Sequence, residues 1–166
     1  LLDRFGGHKY AAGLSLKLEN LDQFKTEFEV AVKNKITKEQ ETRVLRIDGE
    51  LNELDFESDS AESNFPKFYR LLKQMAPFGP QNMTPVFIMK NLVDAGFSKI
   101  VGEDHLKVSL KVNGSSKVFN GIGFGLGDKL ELLKSGIAID VAFQLNENNY
   151  FGEPELQFLV KDIKEN

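Results

Sequence analysis

The chain has no cysteine, only two histidines among 166 residues, and no long uninterrupted apolar run. Without cysteine, disulfides and thiolate metal sites are excluded, and the composition fits a reducing, cytoplasmic setting. The two histidines, His8 and His105, stand far apart. No cluster of aspartates and histidines has the spacing of a metal-ligand set, so a self-contained hydrolytic metal centre is not expected. A membrane-spanning helix, which needs roughly 18 to 20 apolar residues, is likewise not expected. No charged stretch followed by an apolar one precedes the first motif, so no targeting peptide is read. A first residue of Leu1 rather than Met suggests a piece of a longer protein. The length suffices for one domain, or one domain with a fragment of another, and excludes a large multidomain enzyme.

The net charge of −4 argues against nucleic acid, whose phosphates reward a basic surface. Its distribution softens that argument. Residues 48–62 hold Asp48, Glu50, Glu53, Asp55, Glu57, Asp59 and Glu62 with no basic residue, whereas residues 82–129 carry six lysines against four acids. A mildly basic face can therefore coexist with an acidic chain, the acidic segment being read as a solvated loop.

Leu14, Leu16 and Leu18 alternate with polar residues as in a half-buried strand. Asn20 and Gln23 have the spacing of a capping box, opening a helix with a stripe of Leu21, Phe24, Phe28, Ala31 and Val32. The polar stretch from Lys33 to Arg43 marks a boundary, so residues 1–43 form the end of one domain and residues 44–166 a second. In the second, Val44 to Leu51 reads as a strand. A helix capped by Asn64, with Pro66 just inside, has Phe65, Phe68, Leu71, Leu72 and Met75 as its buried stripe. Strands follow at Val86–Val101, bent at Gly96, and at His105–Val112 and Lys117–Phe124, the last two joined at Asn113-Gly114. A short helix at Asp128–Lys134 and strands at Ile137–Leu145 and Glu155–Ile163 close the chain. Three strands, a helix and two strands is the order of an OB-fold, so the fold class is α+β with a five-stranded barrel and its helix between strands three and four.

The densest motif is Arg4-Phe5-Gly6-Gly7-His8-Lys9-Tyr10-Ala11-Ala12-Gly13. Bare glycines let a ligand approach the backbone, and His8–Ala12 before Gly13 reads as one or two helical turns with a glycine C-cap. Free N–H groups at such a helix start, beside Arg4, His8 and Lys9, suit an anion. A plain Gly-Gly turn with the histidine capping a local carbonyl is the competing reading.

This string, followed by Leu14-Ser15-Leu16-Lys17-Leu18, resembles the GGH motif of the DHH-associated domain in the DHH phosphoesterase superfamily. Further landmarks follow in order: Met75-Ala76-Pro77-Phe78-Gly79-Pro80-Gln81-Asn82 with Pro85-Val86-Phe87, Val101-Gly102-Glu103-Asp104-His105-Leu106-Lys107, Ile122-Gly123-Phe124-Gly125, and Leu156–Ile163. Together they resemble the RecJ family of single-stranded-DNA-specific exonucleases across nearly the whole chain. One departure is Tyr150-Phe151-Gly152 where that family usually has a Trp-Asn-Gly turn. The resemblance implies a parent enzyme of DNA repair and recombination that digests single strands 5′ to 3′ with manganese or magnesium. It implies that this chain is its C-terminal part: the end of the DHH-associated domain (short helix, strand, helix), then the OB domain, with the metal centre in a DHH catalytic domain elsewhere. It further implies that Gly6, Gly7 and His8, with Arg4 beside them, contact a substrate phosphate, and that the chain alone is inactive.

On the barrel, Leu106, Val108, Leu110 and Val112 pointing inward would turn Lys107, Ser109 and Lys111 outward on the strand that OB-folds commonly use for oligonucleotides. Lys117 and Phe119 extend that surface, and Tyr150 and Phe151 offer rings for base stacking. Gly121, Gly123, Gly125 and Gly127 do not fit GxGxxG spacing and are read as places where a strand bends or is closely approached. The expected partners are single-stranded DNA, the DHH catalytic domain and, further, single-strand-binding protein. An OB module that docks proteins, with little DNA affinity, is the alternative function.

Overall fold

The computed structural model describes residues 1–8, 10–42, 44–59, 63, 65–149, 152 and 154–166. They divide into two compact units, Leu1–Leu45 and Arg46–Asn166.

In the first unit, β1 (Leu2–His8) and β2 (Ala11–Leu16) form an antiparallel hairpin. A 3-10 turn at Leu18–Asn20 leads into α1 (Leu21–Lys33), and a short α2 (Lys38–Glu41) follows, capped by Thr37 and Gln40. The expected helical turn after His8 is not seen among the described residues, since His8 ends β1 and Ala11 and Ala12 begin β2. A helix of so few residues fixes many dihedrals for one or two hydrogen bonds, whereas pairing extends the alternation of Leu14 and Leu16 onto a second strand. The Asn20 capping box is also absent. Asn20 itself lies in the helical region at φ −93°, its side chain makes no cap bond, and Gln23 bonds Glu27 instead.

The second unit begins with β3 (Gly49–Glu50), a 3-10 turn at Glu53–Phe56 and α3 (Lys67–Gln74). Then come β4 (Phe87–Asp94), β5 (Lys99–Val101), β6 (His105–Val112), β7 (Phe119–Gly123), α4 (Leu130–Lys134), β8 (Ile139–Asn148) and β9 (Glu155–Glu165). The sheet order is β3-β4-β8-β9-β7-β6-β5, and β4 also pairs with β6, which closes it. Within the closed ring β7 and β9 run parallel and the other pairs antiparallel. With α4 between β7 and β8, this is OB topology. The interior is aromatic: Phe143 stacks on Phe158 with centroids 3.7 Å apart, and Phe119 and Phe56 continue the cluster. A Cβ on Gly121 would stand 2.7 Å from the Phe158 carbonyl oxygen and 2.8 Å from Val108, so this glycine is what lets β7 lie so close to β9.

Several expectations change. The strand foreseen from Val86 to Val101 divides into β4 and β5 around residues 95–98, and both halves pair with β6. Ser98 holds the break: its hydroxyl donates to Asp94 and accepts the Ser109 N–H at 3.0 Å, while Ala95 N–H donates to the Ser109 carbonyl. Ser109 is therefore buried under the bulge instead of facing out. The turn at Asn113-Gly114 is present, with Ser115 N–H bonded to the Val112 carbonyl, but β7 starts only at Phe119. The acidic segment is not all solvated, for Leu51 and Phe56 enter the core. On α3, Tyr69 and Leu72 are the buried residues, while Leu71 and Met75 are exposed, and Asn64 lies outside the described residues.

Candidate nucleic-acid interface

The hairpin's register sorts the glycine motif. Arg4 lies across from Ser15, Gly6 from Gly13 and His8 from Ala11, and alternation puts Arg4, Gly6 and His8 on one face of β1. Phe5, paired with Leu14, and Gly7, paired with Ala12, occupy the other. The two glycines thus differ. A Cβ on Gly7 would fall 2.6 Å from the Ala11 carbonyl oxygen and 2.6 Å from Ala12 Cα, so close approach of the strands requires glycine there. A Cβ on Gly6 or Gly13 would meet nothing within 4 Å. Between Arg4 and His8 lies a bare backbone window, two glycines wide.

His8 Nδ1 accepts the Tyr10 N–H at 3.2 Å, which leaves the neutral ring's proton on Nε2 as a donor. Arg4 makes no ion pair among the described residues. Alternate N–H groups of β1 point away from β2 toward the open edge, so the backbone donors here belong to a strand edge, not to a helix start. A guanidinium, an imidazole N–H and edge amides around uncovered backbone can together take an anionic oxygen group. Lys9 lies outside the described residues.

On the barrel, Leu106, Val108 and Leu110 are fully buried and Lys107 is exposed, with Lys111 half-buried beside the Asn113-Gly114 turn. Lys107 sits directly across from Lys99 on β5 and from Ile122 on β7. Among the described residues the ammonium group of none of these three lysines has an ion-pair or hydrogen-bond partner. Lys117 is different. Its ammonium donates to the Phe56 carbonyl at 2.7 Å and its N–H to Ser115 Oγ, while Ser115 also bonds Glu53 at 2.6 Å, so Lys117 ties the acidic segment to the barrel. Phe119 is buried in the core and offers no surface. Tyr150 and Phe151 lie outside the described residues.

The sequence did not point to Lys99, Phe97 or Phe124 as surface groups. Phe97 is 77% exposed and Phe124 63% exposed, and the Phe124 ring meets His105 edge-on at 5.1 Å. The signal that pairs Lys99 with Lys107 is a hairpin centred on Gly102–Asp104.

Among the described residues no three His, Asp or Glu side chains converge on a point where a metal could be held. No helix among them is long and apolar enough to cross a membrane.

Comparison with known proteins gives consistent findings. The family described as RecJ OB domain matches residues 47–162. The chain is similar to the single-stranded-DNA-specific exonuclease RecJ of Dickeya dadantii, 29% identical over 98% of this chain and 27% of that protein. It is similar also to that of Bacillus subtilis, 26% identical over 98% of this chain and 20% of that protein. The chain therefore spans roughly a quarter of these relatives' length. Among solved structures it is similar to RecJ from Thermus thermophilus in complex with Mn2+, with a TM-score of 0.67 and 23% identity over 100% of this chain and 22% of that one. The Mg2+ complex of that protein gives 0.64 and 22% over 100% and 23%. At such identities the likeness is one of fold.

Proposed function

The chain belongs to the RecJ OB domain family, and on that premise we propose that it grips single-stranded DNA and orients it for a DHH catalytic domain carried elsewhere in the same protein. In this reading the whole protein is a cytoplasmic 5′-to-3′ exonuclease of DNA repair and recombination. Its manganese or magnesium lies in the catalytic domain, where it activates water against the phosphodiester. The first unit is the end of the DHH-associated domain. Arg4, His8 and the backbone around Gly6 hold a phosphate near the scissile bond, Gly7 keeps the hairpin closed beneath it, and Lys107 and Lys111 take further phosphates on the barrel. Single-strand-binding protein is a second partner.

The observation that carries this reading is the alignment of Arg4, the Gly6/Gly13 window and His8 on one hairpin face. Oligo-dT binding measured against salt tests it. Each phosphate contact on a single strand contributes a slope of about −0.7 in log K against log salt, so Arg4→Ala, Lys107→Ala and Lys111→Ala should each flatten the line. Undetectable affinity at low salt would favour a protein-docking module instead, a reading supported by the net charge of −4 and the exposed Phe28 and Val30 of α1. The chain alone should release no nucleotides from single-stranded DNA with Mn2+ present. Metal-dependent release would overturn the assignment of catalysis to another domain.

A further inference from the structure

Three features of the β5–β6–β7 face are not accounted for by the barrel's own packing. Lys99 and Lys107 are direct cross-strand neighbours, a placement in which like charges repel, and neither meets a carboxylate among the described residues. Phe97, in the bulge between β4 and β5, leaves 77% of its surface in water. Phe124, just past the end of β7, leaves 63%. The second ring is also held in place: His105 packs edge-on against it, and His105 Nδ1 accepts the Gly125 N–H at 3.4 Å. The bulge carrying the first is fixed by the bonds among Asp94, Ser98 and Ser109. Residues that break the rules of local stability together, on a rigid frame, indicate a complement that supplies what each lacks.

We propose that Phe97 and Phe124 are base-stacking platforms for single-stranded DNA, with Lys99 and Lys107 holding the phosphates between them. The inference rests on the reading that the barrel binds single strands, and it adds the residues that meet the bases. The two rings lie on opposite sides of β6, two strand spacings apart across the sheet and about four residues apart along it, roughly 16 Å in all, so they take two different bases with the lysine pair between them. Nucleobases satisfy exposed rings and phosphates satisfy paired ammonium groups, and one strand laid across β5, β6 and β7 brings both. Stacking uses the face that every base has, so the platforms read no sequence.

The chain contains no tryptophan, so Phe97→Trp and Phe124→Trp each introduce a sole fluorophore that keeps the aromatic character. Oligo-dT should quench both, and a base-free deoxyribose-phosphate oligomer of equal length should quench neither. Phe97→Ala and Phe124→Ala should each weaken oligo-dT binding roughly 5- to 150-fold and leave the base-free oligomer's affinity unchanged. Lys99→Ala and Lys107→Ala should weaken both ligands, with circular dichroism confirming that each variant is folded. If the Phe variants bind oligo-dT like the parent and no tryptophan is quenched, while the lysine variants still lose affinity, stacking is wrong and DNA binding stands. Capture of an acidic, apolar peptide on this face with no oligonucleotide bound even at low salt would overturn both readings.

Discussion

Leu92, Leu106, Phe143, Phe158 and Ile163 lose almost all their surface inside the Arg46–Asn166 unit, whereas in the Leu1–Leu45 unit Phe5, Leu18, Phe28 and Val30 keep more than half of theirs and no described residue is buried. Both units carry apolar residues in regular patterns. In the barrel, alternation on every strand meets a second apolar surface across a closed sheet, so the pattern is satisfied within the unit. In the first unit, Phe24 stacks on Phe28 at 5.5 Å and the hairpin offers Phe5 and Leu14, yet two strands and two helices, one of them a single turn, enclose no interior. An amphipathic pattern says which face wants covering; only a sufficient number of elements covers it.

The largest expected difference follows directly. Phe158 is 2% exposed and touches Phe143, Phe119 and Phe56, so Phe158→Ala should cost about 3 to 5 kcal/mol in urea unfolding. Phe28→Ala, on a residue 55% exposed, should stay within about 0.5 kcal/mol. Equal losses at the two positions would abolish the contrast between the units. A smaller effect tests whether the barrel's few buried polar groups hold it together as its apolar ones do. Ser98→Ala removes the acceptor of the buried Ser109 N–H and a donor to Asp94, and should cost about 1 to 3 kcal/mol by the same measurement.

These two positions also mark how far the sequence could be read. Phe158 follows from alternation along Leu156–Ile163, and the order of the elements, with a helix before the fourth barrel strand, pointed to the OB topology. The role of Ser98 was not legible, because it depends on a two-part first strand whose halves both pair with β6. Nor could Lys117 be distinguished from Lys107: both are lysines near the same turn, and only the fold of the acidic segment brings the Phe56 carbonyl to one of them. In the glycine motif the backbone was not legible. Gly6 and Gly7 look alike in sequence, and cross-strand register alone gives them opposite faces.

A pH effect sharpens the barrel side of the contrast. Burial first, and then the charge and hydrogen bond of Glu147, push the Tyr69 hydroxyl from its ordinary 10 up to about 12. The folded chain therefore keeps a proton that the unfolded chain releases. The resulting stabilisation is whole below pH 10 and is lost as the pH rises toward 12. Tyr69→Phe should flatten this alkaline limb, followed by thermal unfolding across that range.

The smallest effect lies wholly in the first unit and separates its two adjacent glycines. Gly7→Ala forces a methyl onto the backbone of Ala11 and Ala12, where no side chain can swing aside, so the strands must part. Gly6→Ala places the same methyl in open space. Amide chemical shifts should therefore move throughout Leu2–Leu16 for Gly7→Ala and only beside the substitution for Gly6→Ala, with little change in overall stability for either, because this unit has no core to lose. If oligo-dT affinity nonetheless falls for Gly6→Ala while its shifts remain local, the bare window is being kept for a ligand and not for the hairpin. If both variants perturb the hairpin equally, the assignment of the two glycines to opposite faces is wrong, and the alignment of Arg4 with His8 fails with it.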